Sequence, residues 1–418
     1  MSDKQIYAGL EIANHEIRLI VGEFFNTRLN ILKVERVDND AMNENGIEDM
    51  ELLVESIKKA ANNVEKNLGL PITSVVLSVP SVNVVRHHTK VNVPLNSVNR
   101  LVTYRDIRKA MANGMRNVDV PKDNEIVQVN CVKFYCNGIS TRKVPIDETL
   151  DDLKILMDIY SADRKTLYDY VSVVEQAGLN VMDLFLDCFA IGKEASLFEQ
   201  SMDKYIILLD GQYYDTKMAM FYDGRLVNFM QIPVGMQQLA NALDNQYHVG
   251  FKVASRLIKY NVRENAEVLS TQTSYVWAED ELTHTLSEKE IYDCIEPGVA
   301  YWIDLVKQAV EPIISSGKSA IVLTNDMAEI QGIGDRLKES LDCEIKTYMP
   351  DTLGIRNASL TSCAGLFYAY KDLLEVNGRD QTSVDVATFS RIVDLRSDEF
   401  KEMTITNKLR SVLLQGKK

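Results

Sequence analysis

The chain has 418 residues, 46% hydrophobic and 25% charged, with a formal net charge of −14. That length supports two or more domains with a buried core, and it makes a stabilising metal or disulfide unnecessary. The acidic balance excludes broad nucleic-acid binding, which needs a positive surface to displace counterions.

The N-terminal residues run straight into a strand-like segment without a charged-then-apolar leader. No apolar run approaches the roughly 18 residues of a membrane span. The expectation is a cytoplasmic protein. Cys131, Cys136, Cys188, Cys294, Cys343 and Cys363 form no Cys-x-x-Cys pair, and His87-His88 lacks flanking ligands. No metal site is expected, and the thiols read as free.

Residues 6–12 form a short apolar run bounded by polar residues, as a buried strand does. A turn at 14–16, a strand at 17–24, a turn at 26–28 and a strand at 29–34 follow. Leu52, Leu53, Ile57, Ala60, Ala61, Val64 and Leu68 recur at helical spacing over 48–67, and Gly69-Leu70-Pro71 stops that helix. Residues 74–79 return to a buried strand. From 81 to 160 a polar stretch carries strands at 82–93, 126–134 and 153–159 and a helix at 104–116, which reads as an inserted α+β subdomain.

The opening order returns about 200 residues later. Strands at 205–210, 214–221 and 226–232 precede a helix at 236–243. A second insertion over 241–317 holds a helix at 251–260, strands near 267–277 and a long helix at 287–314 that Pro297 and Pro312 should kink or bound. A strand at 319–324 and helices near 328–341 and 362–374 complete the second lobe. The fold class is therefore α/β, with two related lobes facing a cleft suited to a ligand. The division is 1–80 with 161–203 for the first lobe, 81–160 for its insert, 204–240 with 318–375 for the second lobe and 241–317 for its insert. Residues 376–400 read as a linker and 401–418 as a tail.

Gly9-Leu10-Glu11-Ile12 and Glu16-Ile17-Arg18-Leu19-Ile20-Val21-Gly22-Glu23 resemble the opening of the bacterial cell-division FtsA family, within the actin-like superfamily. Ala177-Gly178-Leu179-Asn180-Val181, Gln231-Ile232-Pro233-Val234-Gly235, Ile295-Glu296-Pro297, Ile321-Val322-Leu323-Thr324 and Ala364-Gly365-Leu366 follow in the family's order. The resemblance implies an actin-like, ribonuclease H-like duplicated fold. It also implies a protein of the division ring that polymerises and tethers filaments of the tubulin-like protein FtsZ at the inner membrane face at mid-cell.

Actin-like folds hold ATP on loops whose backbone N–H groups approach the phosphates closely, which favours glycine. In the first loop Ala13 and Asn14 replace the family's Gly-Thr after Glu11. In the second, Asp210 remains, but Gln212, Tyr213, Tyr214 and Asp215 replace clustered glycines. In the third, Asn325 and Asp326 stand where a Gly-Gly meets the adenosine, and Ala254-Ser255-Arg256-Leu257-Ile258 lacks the family's glutamate and lysine. Asp215 adds a charge that would repel phosphate by about 4 kcal/mol at 4 Å and an effective dielectric of 20. The expectation is no cofactor, or ATP with magnesium held weakly, and no hydrolysis. The plainer alternative has Asp210 capping a turn while Tyr213 and Tyr214 fill an empty cleft.

Between 401 and 418 there are five basic residues and one acidic, a net +4. Ile405, Leu409, Val412 and Leu413 share one helical face, with Lys408 and Arg410 off it, the pattern of an interfacial helix on anionic lipid. The alternative is docking of that stripe on the protein or a partner. By resemblance, the second insert grips the acidic C-terminal peptide of FtsZ, for which Lys252, Arg256, Lys259, Arg263 and Lys307 are the candidate contacts. Gly298 stands where the family often has a basic residue after Ile-Glu-Pro. Rival readings are an active ATPase of this fold and a pilus or secretion assembly protein. No catalytic His, Cys or Ser constellation is present.

Overall fold

The computed structural model describes residues 5–25, 28–95, 99–263, 268–279, 282–378 and 381–384. The predicted basic tail, with Ile405, Lys408, Leu409, Arg410, Val412 and Leu413, lies outside them. The first lobe opens with β1 (Gln5–Ile12), β2 (Glu16–Phe25), β3 (Arg28–Asp38) and the small pair β4 (Met42–Asn43) and β5 (Gly46–Ile47). Helix α1 (Met50–Leu68) follows, capped by the Asp49 carboxylate, which accepts from Leu52 N at 2.9 Å. It stops at Gly69, whose φ of 65° continues the chain out of the helix. Strand β6 (Ser74–Val79) pairs parallel with β1.

The first insert comprises β7 (Val85–Asn92), α2 (Tyr104–Arg116), β8 (Asn124–Cys136), β9 (Ile139–Thr141) and β10 (Leu153–Asp163). Its sheet runs β7-β10-β8-β9. The buried carboxylate of Asp158 on β10 accepts from Arg225 Nη2 at 2.6 Å, which fastens the insert to the second lobe. The chain then forms α3 (Arg164–Gln176), β11 (Asn180–Leu186), α4 (Asp187–Glu194) and the single turn α5 (Leu197–Gln200). The first sheet has the order β11-β6-β1-β2-β3.

The second lobe repeats this plan with β12 (Tyr205–Gly211), β13 (Thr216–Tyr222), β14 (Arg225–Ile232) and α6 (Met236–Tyr247). Its insert contains α7 (Phe251–Asn261), the hairpin β15 (Thr273–Glu279) and β16 (Leu282–Ser287), and α8 (Glu288–Ile314). Helix α8 continues through Pro297 and Pro312 and ends at neither. Its face of Ile291, Ile295, Val299, Trp302, Val306 and Val310 is fully buried, which outweighs the backbone bonds the prolines remove. Strand β17 (Ser319–Thr324), α9 (Ile333–Ser340), β18 (Glu344–Thr347) and α10 (Thr361–Asn377) complete the chain's named elements.

The second sheet runs β14-β13-β12-β17-β18, the same plan as the first. In each, the leading strand lies antiparallel to the second and parallel to the one after the helix. Such central strands are covered on both faces, so they read as continuous apolar runs. The structure sets α10 against the first sheet, not the second: Cys363, Leu366 and Phe367 share that lobe's core with Leu10, Leu19 and Ile20. Gly9 permits the approach, since a β-carbon there would sit 3.0 Å from Cys363 O. Beyond α10, Ser383 Oγ accepts from Ala8 N at 2.8 Å and Ser383 N donates to Ile6 O at 2.9 Å. Part of the stretch read as a linker is thus held on β1.

Candidate functional site

The duplicated plan brings two equivalent turns face to face. In one, Ala13 N donates to Glu16 O at 3.0 Å; in the other, Gln212 N donates to Asp215 O at 2.8 Å. The N-terminus of α6 buttresses the second turn, with Met236 N on Gln212 O and Gln237 N on Tyr213 O. Gly235 makes this possible, because a β-carbon there would meet Gln212 O at 2.5 Å. Across the gap the His15 and Tyr213 rings stack, centroids 4.8 Å apart and 20° from parallel. Tyr214 Oη donates to Met42 O at 3.1 Å, and Phe251 packs edge-on to Tyr213.

Arg18 occupies the centre of the cleft and is 1% exposed. Strand register places it opposite Glu11. Its Nε donates to Glu16 Oε1 at 2.6 Å and its Nη1 to Ser359 O at 2.5 Å. The same guanidinium reaches Glu11 Oε1 and Asn325 Oδ1, each at 3.3 Å, and Asp326 Oδ2 at 3.5 Å. Lys259 Nζ donates to Asp326 Oδ1 at 2.6 Å and Glu329 Oε2 at 3.0 Å. Lys217 of β13 is paired with Asp187 of α4, again across the lobes.

Asn325 has φ 68° and ψ −156°, a conformation almost confined to glycine. Its side chain holds that shape. Nδ2 donates to Asp210 Oδ1 at 2.7 Å, and Oδ1 accepts from Asp326 N at 3.0 Å as well as from Arg18. Asp210 also accepts from Gln212 Nε2 at 2.5 Å.

The charges diverge in behaviour. Burial raises the Glu11 carboxyl to about 7 against the pull of Arg18, and Glu11 Oε2 is buried without a partner. Burial and then Asp187 raise Asp210 to about 7. Asp326 is driven the other way: burial pushes it up, but Lys259, His15 and Arg18 hold it well below the usual carboxylate range. Burial pushes the Lys217 ammonium down, yet Asp187, Asp215 and Asp210 hold it well above its ordinary value. Each buried cation here is already engaged by carboxylates.

Two spaces remain. One of about 240 Å³ is lined by Glu11, Ala13, Asn14, Gln212, Asn325 and Asp326 among others. The other, about 520 Å³, is bordered by Phe251, Arg256, Lys259, Asp326 and Glu329. His15 and Tyr213 border both. All the candidate loop residues therefore converge, with Asp210 joined through Gln212 and Asn325. Among the described residues no group of His, Cys, Asp and Glu is arranged to hold a metal ion.

The candidate partner residues are not brought together in the same way. Lys252 is exposed and meets Asp38 Oδ2 of the first lobe at 3.0 Å. Arg256 and Lys307 are exposed, and Arg263 makes a two-pronged pair with Glu288 at 2.8 and 2.9 Å. Lys259 does not belong on such a surface: it is buried in the cleft, where two carboxylates compensate its charge.

No protein-family model matches the chain. It is 23% identical over 381 residues to the cell division protein FtsA of Bacillus subtilis, covering 88% of this chain and 83% of that protein. FtsA of Enterococcus faecalis is 22% identical over 373 residues, covering 85% and 81%. The chain is thus similar to FtsA proteins along most of its length, and its duplicated fold is actin-like. Two solved structures share the fold: a PilM-PilN type IV pilus biogenesis complex, at TM-score 0.59 and 12% identity over 88% of this chain and 98% of that one, and MreB5 of Spiroplasma citri bound to ADP, at TM-score 0.50 and 12% identity over 89% and 98%. Within the FtsA-like frame, Arg18, Lys217, Asp187, His15 and Glu16 are the residues that sequence reasoning missed at the cleft. A polar residue at every second strand position reads as solvent-facing, and only the pairing of the two lobes makes Arg18 internal.

Proposed function

We propose that this FtsA-like chain is a cell-division scaffold that tethers FtsZ filaments to the cytoplasmic face of the membrane and assembles with its own copies at the division ring. In this reading it works by holding partners and not by turning over ATP. The similarity to FtsA proteins along most of the chain supports the division role. Among the described residues no helix is long and apolar enough to cross a membrane, so the basic tail would supply the membrane contact.

The observation that carries the adaptor reading is the engagement of Arg18, Lys217 and Lys259 by the protein's own carboxylates. Among the described residues, a triphosphate entering this cleft would meet no uncommitted buried cation and would face Glu11, Asp187, Asp215 and Asp326. Nucleotide binding is then lost or weak, and the cleft serves as a joint between lobes. Calorimetric titration with MgATP tests this directly, with no saturable heat expected; micromolar binding would end the adaptor reading. A fluorescent fusion forming a mid-cell ring supports the division role, and a polar or diffuse distribution rejects it.

A further inference from the structure

The first insert carries a charged face that the tether reading leaves unused. At about 100° per residue, Arg105, Lys109 and Arg116 of α2 fall within about 40° of one another. All three are exposed, while Ile107, Ala110, Met111 and Gly114 on the opposite side are buried against the insert's sheet. None of the three has a carboxylate partner among the described residues. Neighbouring cations are committed elsewhere: Arg100 to Asp151, and Arg108 to the Asn377 carbonyl. A chain of net charge −14 thus presents a straight, uncompensated cationic edge roughly 16 Å long.

The position of that edge matters. Tyr104, at the start of α2, packs directly on Gly378, where a β-carbon would clash with its ring. Gly378 ends α10, and Arg108 caps the same helix end. Val384, the last described residue, is six residues further on, a span of at most about 21 Å of chain. From beside the start of α2 the described chain runs back onto β1, where Ser383 bonds Ala8 and Ile6, so its last described residue lies within about 21 Å of the Tyr104 end of the basic edge.

We propose that the Arg105–Lys109–Arg116 edge is a second contact with the anionic membrane surface, acting beside the tail. This rests on the tail being the lipid-binding segment. The edge suits a plane of charge: Ala112, on the same helical face between Lys109 and Arg116, adds no bulk between the cations. Each basic residue near an anionic leaflet strengthens partitioning by about fivefold, and two linked contacts multiply.

The test is co-sedimentation of the full chain with vesicles of phosphatidylserine in phosphatidylcholine, compared with phosphatidylcholine alone. The triple variant Arg105→Glu/Lys109→Glu/Arg116→Glu should lose roughly tenfold or more in affinity for the anionic vesicles. The milder Arg105→Gln/Lys109→Gln/Arg116→Gln should lose less, with both variants keeping the wild-type melting curve. Combined with Lys408→Glu/Arg410→Glu in the tail, the losses should multiply. Unchanged vesicle binding in the triple variants, while the tail variant loses it, would overturn the second contact and leave the tail reading intact. Loss of self-association in the triple variants with vesicle binding unchanged would also overturn it and assign the edge to a neighbouring copy. No binding of the unaltered chain to anionic vesicles would overturn both readings.

Discussion

Arg18 and Asp326 meet between the two lobes, guanidinium Nη2 to carboxylate Oδ2 at 3.5 Å, with both side chains at most 2% exposed. Arg18 also holds Glu11 and Glu16 from its own lobe, so one cation organises carboxylates from both sides of the cleft. Removing it strands buried negative charge. Arg18→Met should cost about 3–5 kcal/mol in urea unfolding. A cost below about 1 kcal/mol would mean the lobes are held together elsewhere.

The raised carboxyls give the cleft a pH signature. Glu11 and Asp210 titrate near 7 when folded but near 4 when unfolded. The folded state therefore binds more protons between those values, and their contribution to stability is lost as pH rises from about 4 through 7. Asp326 and Glu16, held low, act oppositely: their stabilisation is present above the ordinary carboxylate range and is lost as pH falls below it. Stability should peak near pH 4 and decline by roughly 1–3 kcal/mol or more toward pH 8. Glu11→Gln with Asp210→Asn should flatten that decline, measured by urea unfolding across pH 5–8. An unaltered slope in the double variant would refute the assignment.

Asn325 tests whether side-chain bonds outweigh backbone strain. Its φ of 68° would suit glycine, and a strained non-glycine residue costs of order 1–3 kcal/mol. Asn325→Gly relieves that strain but removes the bonds to Asp210 and Arg18, leaving two buried groups short of partners. The variant should be destabilised by about 1 kcal/mol in thermal unfolding, whereas a stabilised variant would show that the backbone term dominates.

The lobes were readable because their inner strands are short, mainly apolar runs: β6 and β17 have the predicted bounds, Ser74–Val79 and Ser319–Thr324. Helix α2 was equally legible, since its buried residues recur on one face. Helix α4 was not, because Asp187, Cys188, Phe189, Ala190, Ile191 and Gly192 are all buried and leave no amphipathic period to detect. Helix α3, with Leu167, Tyr170, Val173 and Val174 buried, carries such a signal, yet the sequence reading names no helix there. At the cleft, the turn residues were visible as departures from glycine. The cross-lobe pairs Lys217–Asp187 and Arg18–Asp326 were not, because sequence separation says nothing about which charges meet in a core.

Bulk at Tyr213 and Tyr214 and the charge of Asp215 are the obstacles to nucleotide read from the sequence, but the cleft retains a space of about 520 Å³, within the range that holds small ligands. In the adaptor reading proposed above, charge commitment is then the stronger barrier, and the two explanations separate experimentally. Tyr213→Ala widens the cleft and removes the stack on His15 while leaving Arg18, Lys217 and Lys259 paired. It should gain no MgATP binding in calorimetry. Asp326→Asn with Glu329→Gln uncouples Lys259 and deletes two repelling charges, each worth up to about 4 kcal/mol at close range under partial screening. That pair should acquire weak, salt-sensitive MgATP binding even with the tyrosines in place. Binding gained by Tyr213→Ala alone would return the explanation to sterics.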